Sequence, residues 1–157
     1  MAGTSGYDGM KHVAVYIDTS LKGPRRGNGV CQYIIAYEAL NGKTADTGSR
    51  ISREDTTENQ LTAAGLAAAL LRLKTPCSIS LYLECPYAAA VLQNGWYQEW
   101  RYSGWMTAKG KPVQDAGLWQ EIETLLCPHT IQVFLKQPHP YREWMHRELL
   151  KYKNGKG

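Results

Sequence analysis

The stretch HVAVYIDTS, residues 12–20, decides the fold because it joins the pattern of a core strand to an acid. Val13, Val15 and Ile17 alternate with smaller or more polar neighbours, which predicts a half-buried β-strand. Asp18 then stands where the apolar run stops. An Asp in such a place most often belongs to a turn or a cap, and a metal ligand is the alternative. Further acids at the same place in the fold would favour the role of metal ligand over that of turn or cap residue.

The bulk composition predicts one soluble globular domain. The 157 residues are 43% hydrophobic and 20% charged, and they suffice for a single core. The sequence has no run of roughly 18 apolar residues, and its start lacks the basic and apolar stretches of a signal peptide. We therefore predict a cytoplasmic protein with no membrane segment. Its single domain is expected over 12–153, after a flexible N-terminus at 1–11 and before a tail at 154–157.

The four cysteines are Cys31, Cys77, Cys85 and Cys127, and their spacing argues against a zinc site. They form no Cys-x-x-Cys pair and have no histidine beside them at ligand spacing. Without an export signal, reduced thiols are the default. We therefore interpret all four as reduced thiols that are buried as small hydrophobic side chains.

The net charge of +4 is concentrated at the C-terminal end. From Lys136 onward six basic residues face two acidic ones, so this segment carries the whole excess. A smaller basic cluster, formed by Lys22, Arg25 and Arg26, follows the first strand. Basic patches suit the phosphate backbone of nucleic acids, although charge alone is equally compatible with a solvated basic tail.

Two further strand patterns follow the smaller basic cluster. VCQYIIAYEAL (30–40) and KTADTGSRIS (43–52) flank the Asn-Gly dipeptide at 41–42, which is the strongest short signal for a hairpin. The chain therefore begins with three strands, which we expect to be antiparallel.

The second half alternates helices with two more strands. Helical patterns cover 61–73, 86–94, 115–126 and the basic segment 139–153, and strand patterns cover 78–84 and 130–136. Thr56 or Thr57 is the expected N-cap of the first helix, and Gly65 in its middle indicates close packing. The segment GWYQEWRYSGW (95–105) has little amphipathic order and is counted as a further helix. The element order βββ-α-β-α-α-α-β-α predicts a mixed α/β sheet.

The strand at 78–84 also ends on a carboxylate, Glu84. If the first and fourth strands lie side by side and parallel, Asp18 and Glu84 converge at one end of the sheet. Open α/β sheets tend to place their functional sites at that end. The pairing of two acids favours a site over two unrelated turn residues.

Four segments of the chain resemble ribonuclease H of the cellular type, in the same order and spacing. The most specific is GWMTAKGKPVQDAGLWQ (104–120), and the others are YIDTS (16–20), TTENQLTAAGLAAAL (56–70) and YLECPYAAAVL (82–92). The resemblance covers roughly residues 12–150. It implies an RNase H-like mixed five-stranded sheet, with three antiparallel strands and then two parallel ones, flanked by helices.

The resemblance also implies two-metal hydrolysis of the RNA strand in an RNA/DNA hybrid, with four acids that hold two Mg²⁺ ions about 4 Å apart. Asp18 matches the first acid. Thr62 replaces the second, a Glu, and Glu84 replaces the third, an Asp. The fourth, an Asp, is replaced by His146 or Arg147, depending on a one-residue ambiguity.

Two acids supply about −2 charges against the +4 of two magnesium ions, so a metal pair is not expected. Asp18 and Glu84 are the expected catalytic remnants, and they hold one weakly bound Mg²⁺ or Mn²⁺ ion at most, or none. Glu58, one helical turn before Thr62, lies about 6 Å too far along the helix to replace the missing Glu, and a helix-dipole role fits it better. His139 is the remnant of the family's histidine loop.

The resemblance assigns nine residues to nucleic-acid binding: Lys22, Arg25, Arg26, Asn59, Trp96, Trp100, Arg101, Lys109 and Lys111. In the family, the loop of the first three faces the RNA strand, and the tryptophans, with Trp105, form a handle for the DNA strand. Trp119 is expected in the core because it lies on the apolar face of its helix. A-form-like duplexes are read through shape, 2′-hydroxyls and phosphates, so modest basic and polar contacts can suffice.

Three functions follow from the resemblance and from the missing acids. The first, which we favour, is a degenerate pseudoenzyme that binds RNA/DNA hybrid or other nucleic acid with little or no cleavage. The second is an active Mg²⁺- or Mn²⁺-dependent ribonuclease H with a reduced metal site. The third is a scaffold or protein-interaction domain. A nucleic-acid partner is expected, and a protein partner stays open.

Overall fold

The strand that carries Asp18 lies at the centre of a five-stranded sheet in the computed structural model, which describes residues 10–152. The strands are β1 (Lys11–Thr19), β2 (Gly27–Glu38), β3 (Thr44–Thr56), β4 (Cys77–Leu83) and β5 (Thr130–Leu135). Their order across the sheet is β3-β2-β1-β4-β5. β1, β2 and β3 pair antiparallel, whereas β1, β4 and β5 pair parallel. The predicted mixed sheet, with three antiparallel and then two parallel strands, is confirmed.

Five helices flank the sheet. They are α1 (Glu58–Leu71), α2 (Pro86–Gln93), α3 (Trp96–Tyr102), α4 (Ala116–Leu126) and α5 (Arg142–Lys151). α1 begins three residues before its predicted start because Thr57 caps it, with its hydroxyl accepting from the Gln60 N–H at 3.1 Å. The predicted start followed the apolar run, which begins only after the first helical turn. α3 forms in the segment where the sequence showed little amphipathic order.

The main core lies between one face of the sheet and α1, α2 and α4. Val15 and Ile17 of β1 point into it, as the alternation predicts, and Trp119 of α4 is only 1% exposed. The predicted close packing at Gly65 is confirmed, because a Cβ atom there would lie 2.3 Å from the Cys31 Sγ atom. The contact between Gly65 of α1 and Cys31 of β2 holds α1 close to the sheet.

The opposite face of the sheet is covered by α5. Met145 packs against Tyr16, Ile34 and Ala36 in a small second cluster. Polar contacts fix the helix at both ends: the Tyr141 hydroxyl donates to Asp46 at 2.7 Å, and Arg50 pairs with Glu148 at 3.0 Å. α5 therefore lies directly over the strand that ends on Asp18.

The interpretation of the cysteines is right for three of them and wrong for one. Cys31, Cys77 and Cys85 are buried, but Cys127 is exposed because it follows the last turn of α4 at the surface. None of the four is in a disulfide. Burial raises the pKa of the Cys31 thiol to about 12.

Three observations concern the chain as a whole. β1 begins at Lys11, one residue before the predicted domain start. Residues 1–9 and 153–157, which include most of the predicted flexible N-terminus and the predicted tail, lie outside the described residues. Among the described residues, every helix is too short or too polar to cross a membrane.

Candidate active site

Two carboxylates stand at the same end of neighbouring parallel strands. Ile17 of β1 is paired with Leu83 of β4, so the residues that follow them, Asp18 and Glu84, are neighbours across the sheet. The side chain of Asp18 is 4% exposed and that of Glu84 is 10% exposed. Carboxylates that are buried this far need hydrogen-bonded or charged partners.

Both oxygens of Asp18 are engaged by the chain itself. Oδ1 accepts from the Thr19 backbone N–H at 2.8 Å and from the Lys22 ammonium group. Oδ2 lies 2.7 Å from Nδ1 of His146. A lysine and a histidine therefore bracket this carboxylate from two sides.

Glu84 is held by a bidentate ion pair with the first residue of α5. Nε and Nη2 of Arg142 donate to its two oxygens at 2.9 and 3.0 Å. The hydrogen bonds to Glu84 raise the pKa of Arg142 further above its usual value. Two parallel N–H···O bonds of this kind are among the stronger pairings available to a carboxylate.

One face of α5 supplies a partner to each acid. Arg142 and His146 are four residues apart, so they project from the same side of the helix. Of the two candidates for the fourth acid position, His146 contacts Asp18 through Nδ1 at 2.7 Å, and Arg147 is exposed. A basic side chain and a histidine occupy the side of α5 on which the resemblance places an acid.

The first turns of α1 supply no further open carboxylate. Thr62 is buried with 2% exposure and offers only a hydroxyl. Glu58 is also buried, and its Oε1 accepts from the Gly23 N–H at 2.9 Å. Glu58 therefore anchors the loop that carries Lys22, and its carboxylate is not spare for a metal.

The residues do not fit a resident pair of magnesium ions. Such a pair needs several anionic oxygens in a near-octahedral arrangement. Residues 10–152 contain no group of three or more His, Cys, Asp or Glu side chains arranged to hold a metal. The oxygens of Asp18 and Glu84 already accept from Lys22, His146 and Arg142, so an incoming ion must displace them.

Comparison with known proteins places this chain in a family. The model of the RNase H family matches residues 10–139 of the chain. The chain belongs to the RNase H family. It is 30% identical to the ribonuclease H of Clostridium botulinum over 138 residues, which cover 88% of this chain and 91% of that protein. It is 36% identical to the ribonuclease H of Cupriavidus pinatubonensis over 123 residues, which cover 78% and 79% of the two chains.

Solved structures agree on the fold. A type 1 RNase H that carries the type 2 active-site motif superimposes with a TM-score of 0.75 at 20% identity, covering 94% of this chain and 74% of that one. A foamy viral protease-reverse transcriptase in complex with RNA/DNA hybrid gives a TM-score of 0.68 at 13% identity, covering 94% of this chain and 20% of that one. These identities are low, so the likeness describes the RNase H fold alone.

His139 is packed inside this RNase H domain. Its ring stacks on Tyr16 with a centroid distance of 4.2 Å, and its Nδ1 accepts from the Tyr141 N–H at 3.2 Å. Burial lowers the pKa of His139 to about 4. The side chain is therefore neutral at pH 7 and contributes to an aromatic cluster between the sheet and α5.

The loop after β1 presents basic side chains at the same end of the sheet. Lys22 contacts Asp18 and keeps 40% of its side chain exposed, and Arg25 is exposed. Arg26 donates to the Asp55 carbonyl oxygen at 2.7 Å, which ties the loop to β3. Asn59 is half-buried, and its Oδ1 lies 3.3 Å from the thiol of Cys85.

The tryptophans that the resemblance assigns to a handle pack against the core and are also partly exposed. Trp96, Trp100 and Trp105 are half-buried against the main core, and Trp100 lies 6.2 Å from Trp105 between ring centroids. The remaining basic residues of this region, Arg101, Lys109 and Lys111, are exposed, and Arg101 pairs with Glu123 at 2.9 Å. The predicted nucleic-acid residues thus fall into two groups, one at the acids and one at the handle.

Sequence reasoning missed two residues of the site. Arg142 lies one helical turn before His146, and this spacing in the basic helix was the available signal. Gln32 is paired in register with Asp18 and is buried, and its Oε1 has no hydrogen-bond partner among the described residues. The alternation of β2 places Gln32 on the same face as Ile34, under α5.

Proposed function

We propose that this RNase H domain binds RNA/DNA hybrid or other duplex nucleic acid with little or no cleavage. One observation carries the proposal: both remaining acids are neutralised by basic or imidazole side chains of the same chain. Asp18 is held by Lys22 and His146, and Glu84 by Arg142. Two-metal catalysis needs ions that clamp the attacking and leaving oxygens of the scissile phosphate, and these carboxylates are committed elsewhere.

Binding is supported by the family and by the placement of the basic residues. Among the structural neighbours, foamy viral protease-reverse transcriptases were solved with RNA/DNA hybrid and with dsDNA. In this chain Lys22 and Arg25 stand at the acid end of the sheet, and Lys109 and Lys111 are exposed beside the handle. Phosphate contacts from such side chains supply affinity without a metal.

The same proposal covers the metal content of the domain and its location in the cell. The domain needs no metal for binding, and it holds at most one weakly bound Mg²⁺ or Mn²⁺ ion at Asp18 and Glu84. We place the protein in the cytoplasm because four cysteines outside disulfides suit a reducing compartment.

A second candidate function is an active Mg²⁺- or Mn²⁺-dependent ribonuclease H. It is favoured by the similarity to curated ribonucleases H and by two acids that remain at the expected end of the sheet. A divalent ion would have to compete with Lys22 and Arg142 for their carboxylates. The scaffold function predicts no specific nucleic-acid binding.

A pair of assays separates the three functions. Fluorescence anisotropy with a labelled RNA/DNA hybrid in EDTA is expected to show binding that weakens as salt rises, because phosphate contacts release counterions. Salt-dependent binding would exclude the scaffold. A gel assay of the same hybrid in Mg²⁺ and in Mn²⁺ is expected to show no product above the Asp18→Asn variant. Turnover that disappears in Asp18→Asn would establish the active enzyme and overturn the proposal.

A further inference from the structure

The positive charge at the acid end of the sheet belongs to the chain itself. Lys22 stands against Asp18, and Arg142 against Glu84. In a two-metal site the charge that meets the phosphate comes from the ions. We infer that Lys22, Arg142 and His146 form a metal-independent site for a phosphodiester of the bound duplex. The inference rests on the proposed function and assigns the residues through which it acts.

Lys22 and Arg142 have donors beyond those that hold the acids. An ammonium group carries three N–H donors, and one of those on Lys22 contacts Asp18. A guanidinium carries five, and two of those on Arg142 bond to Glu84. His146 uses Nδ1 toward Asp18, and its Nε2 is a second donor when the ring is protonated. These side chains are 40%, 32% and 46% exposed respectively, so a ligand can reach the remaining donors.

The donors are held close together. Lys22 and His146 contact the two oxygens of one carboxylate, and Arg142 lies one helical turn from His146, about 6 Å between Cβ atoms. A cavity of about 180 Å³ is lined by Asp18, Lys22 and His146 together with Leu149 and Leu150, and Arg142 is not among its lining residues. A cavity of this size can hold several water molecules, so it has room for a tetrahedral anion.

The acids act as positioning residues in this arrangement. Asp18 pairs with Lys22, and Glu84 pairs with Arg142. These long basic side chains therefore lose part of their rotamer entropy when the protein folds, and they lose less of it when the duplex binds. Glu58 adds to this by accepting from Gly23, which fixes the loop next to Lys22. The backbone of a further basic residue lies near the site, since the Lys136 N–H bonds to the carbonyl oxygen of Leu83, directly before Glu84.

The arrangement assigns a different role to magnesium. In a two-metal site the divalent ion bridges acids and phosphate, so chelation weakens the complex. Here a divalent ion must first displace Lys22 or Arg142 from a carboxylate, because both acids of the site are already paired with basic side chains. Binding of the duplex is therefore independent of Mg²⁺ at matched ionic strength.

The experiment uses the full chain and a labelled RNA/DNA hybrid in anisotropy titrations, in EDTA and in Mg²⁺ at matched ionic strength. Lys22→Gln is expected to weaken binding about tenfold and to reduce the slope of log K against log salt by about 0.9. Lys43→Gln is the matched control, because it removes the same charge from an exposed lysine at the other end of the sheet. It is expected to change affinity less than about twofold.

Two conservative variants keep the test independent of folding. Lys22→Arg retains the charge opposite Asp18 and should bind like the wild type. Arg142→Lys retains the charge opposite Glu84 but lacks the fork of N–H groups, and should bind about fivefold more weakly. An unlabelled mononucleotide serves as competitor and is expected not to displace the duplex at micromolar concentration.

The outcomes are distinguishable. Equal affinities of Lys22→Gln and Lys43→Gln would overturn the inference and leave the proposed function standing. Binding that requires Mg²⁺, or displacement of the duplex by the mononucleotide, would overturn it as well. Absence of salt-dependent binding by the wild type would overturn the proposed function and the inference with it.

Discussion

Asp18 illustrates how substitutions at distant positions depend on one another. With an acid in place of His146, the two carboxylates would repel each other until a cation arrived. With His146 on one oxygen and Lys22 on the other, Asp18 is instead satisfied by the chain alone. Arg142 does the same for Glu84. In the proposed function, these internal ion pairs take the place of the external cations.

This balance predicts that acids restored to the site will raise its affinity for magnesium. The double variant Thr62→Glu/His146→Asp returns carboxylates to two of the four family positions, and ligand charge is what tunes affinity for hard cations. We expect Mg²⁺ to bind roughly tenfold or more tightly than to the wild type, as measured by isothermal titration calorimetry.

A matched control adds the same acids elsewhere. Thr124→Glu/His12→Asp places them at exposed positions on α4 and at the start of β1, away from the site. It should bind Mg²⁺ no better than the wild type. An unchanged affinity in the restored variant, with its fold intact by circular dichroism, would show that Thr62 and His146 do not occupy the acid positions.

Single residues of the site were predictable to different degrees. Asp18 and Glu84 could be found because each acid directly follows an apolar run of a strand. The choice between His146 and Arg147 could not be made, since a one-residue slip turns a side chain by about 100° around a helix. The pairing of Arg142 with Glu84 spans 58 positions in sequence and depends on how α5 docks on the sheet.

At the scale of elements, α1 and the sheet approach each other at Gly65 as closely as a backbone allows. The Cys31 Sγ atom occupies the space that a side chain at this position would need. Glycine in a helix interior costs about 1 kcal/mol relative to alanine, so its presence here indicates that contact with the sheet prevails over helix propensity.

Two glycine substitutions test this contact. Gly65→Ala is expected to lower the free energy of unfolding by about 1–3 kcal/mol, because overpacking outweighs the propensity gain. A Cβ atom at Gly117 in α4 would have no atom within 4 Å, so Gly117→Ala should raise the free energy of unfolding by up to about 1 kcal/mol. Urea denaturation measures both. Stabilisation by Gly65→Ala would contradict the close approach.

The attachment of α5 to the sheet has a predictable pH dependence. The hydrogen bond to Asp46 is the main cause that raises the pKa of Tyr141 to about 12. The protonated phenol is favoured in the folded state, so its stabilising effect is complete below the unfolded pKa of about 10 and is lost as the pH rises toward 12. Tyr141→Phe should cost about 1 kcal/mol at pH 8.

Urea denaturation of the wild type and of Tyr141→Phe at several pH values measures this contribution. The difference between the two proteins should shrink as the pH rises from about 10 to about 12. Tyr102→Phe is the control, because Tyr102 is 83% exposed. A difference that stays constant over this range would contradict the assigned hydrogen bond.

The elements with a strong local signal were predictable, and those defined by tertiary contact were not. The Asn-Gly hairpin and the alternation of β1 predicted the antiparallel half of the sheet. β2 starts earlier than predicted because a register shift between Gly27 and Gly29 interrupts the pattern at its beginning. α3 has only seven residues, too few for a helical period to emerge, and its tryptophans contact the core through other elements.

At the scale of the whole molecule, part of the basic excess of the C-terminal segment lies on the described elements. Arg142 stands in the site, Lys136 follows β5 next to it, and Lys151 pairs with Glu148 at 3.1 Å. The sequence left a phosphate-binding patch and a solvated tail equally possible. Part of the charge faces the acid end of the sheet, where a duplex would be bound by the proposed function.

The whole molecule keeps the RNase H fold, and the proposed function assigns it a site with a rearranged charge. The family match covers residues 10–139, which include α1 and β4 but end before α5. The fold depends on alternation and packing, which tolerate these changes. The chemistry depends on a few carboxylates, so it can be lost without loss of the fold.

A crystal structure grown in Mn²⁺, with anomalous scattering measured at the manganese edge, tests the occupancy of this site most directly. We expect at most one weak manganese peak between Asp18 and Glu84, with Lys22 and Arg142 in contact with the two carboxylates. Two peaks about 4 Å apart that share Asp18 as a ligand, with Lys22 displaced into solvent, would contradict this expectation.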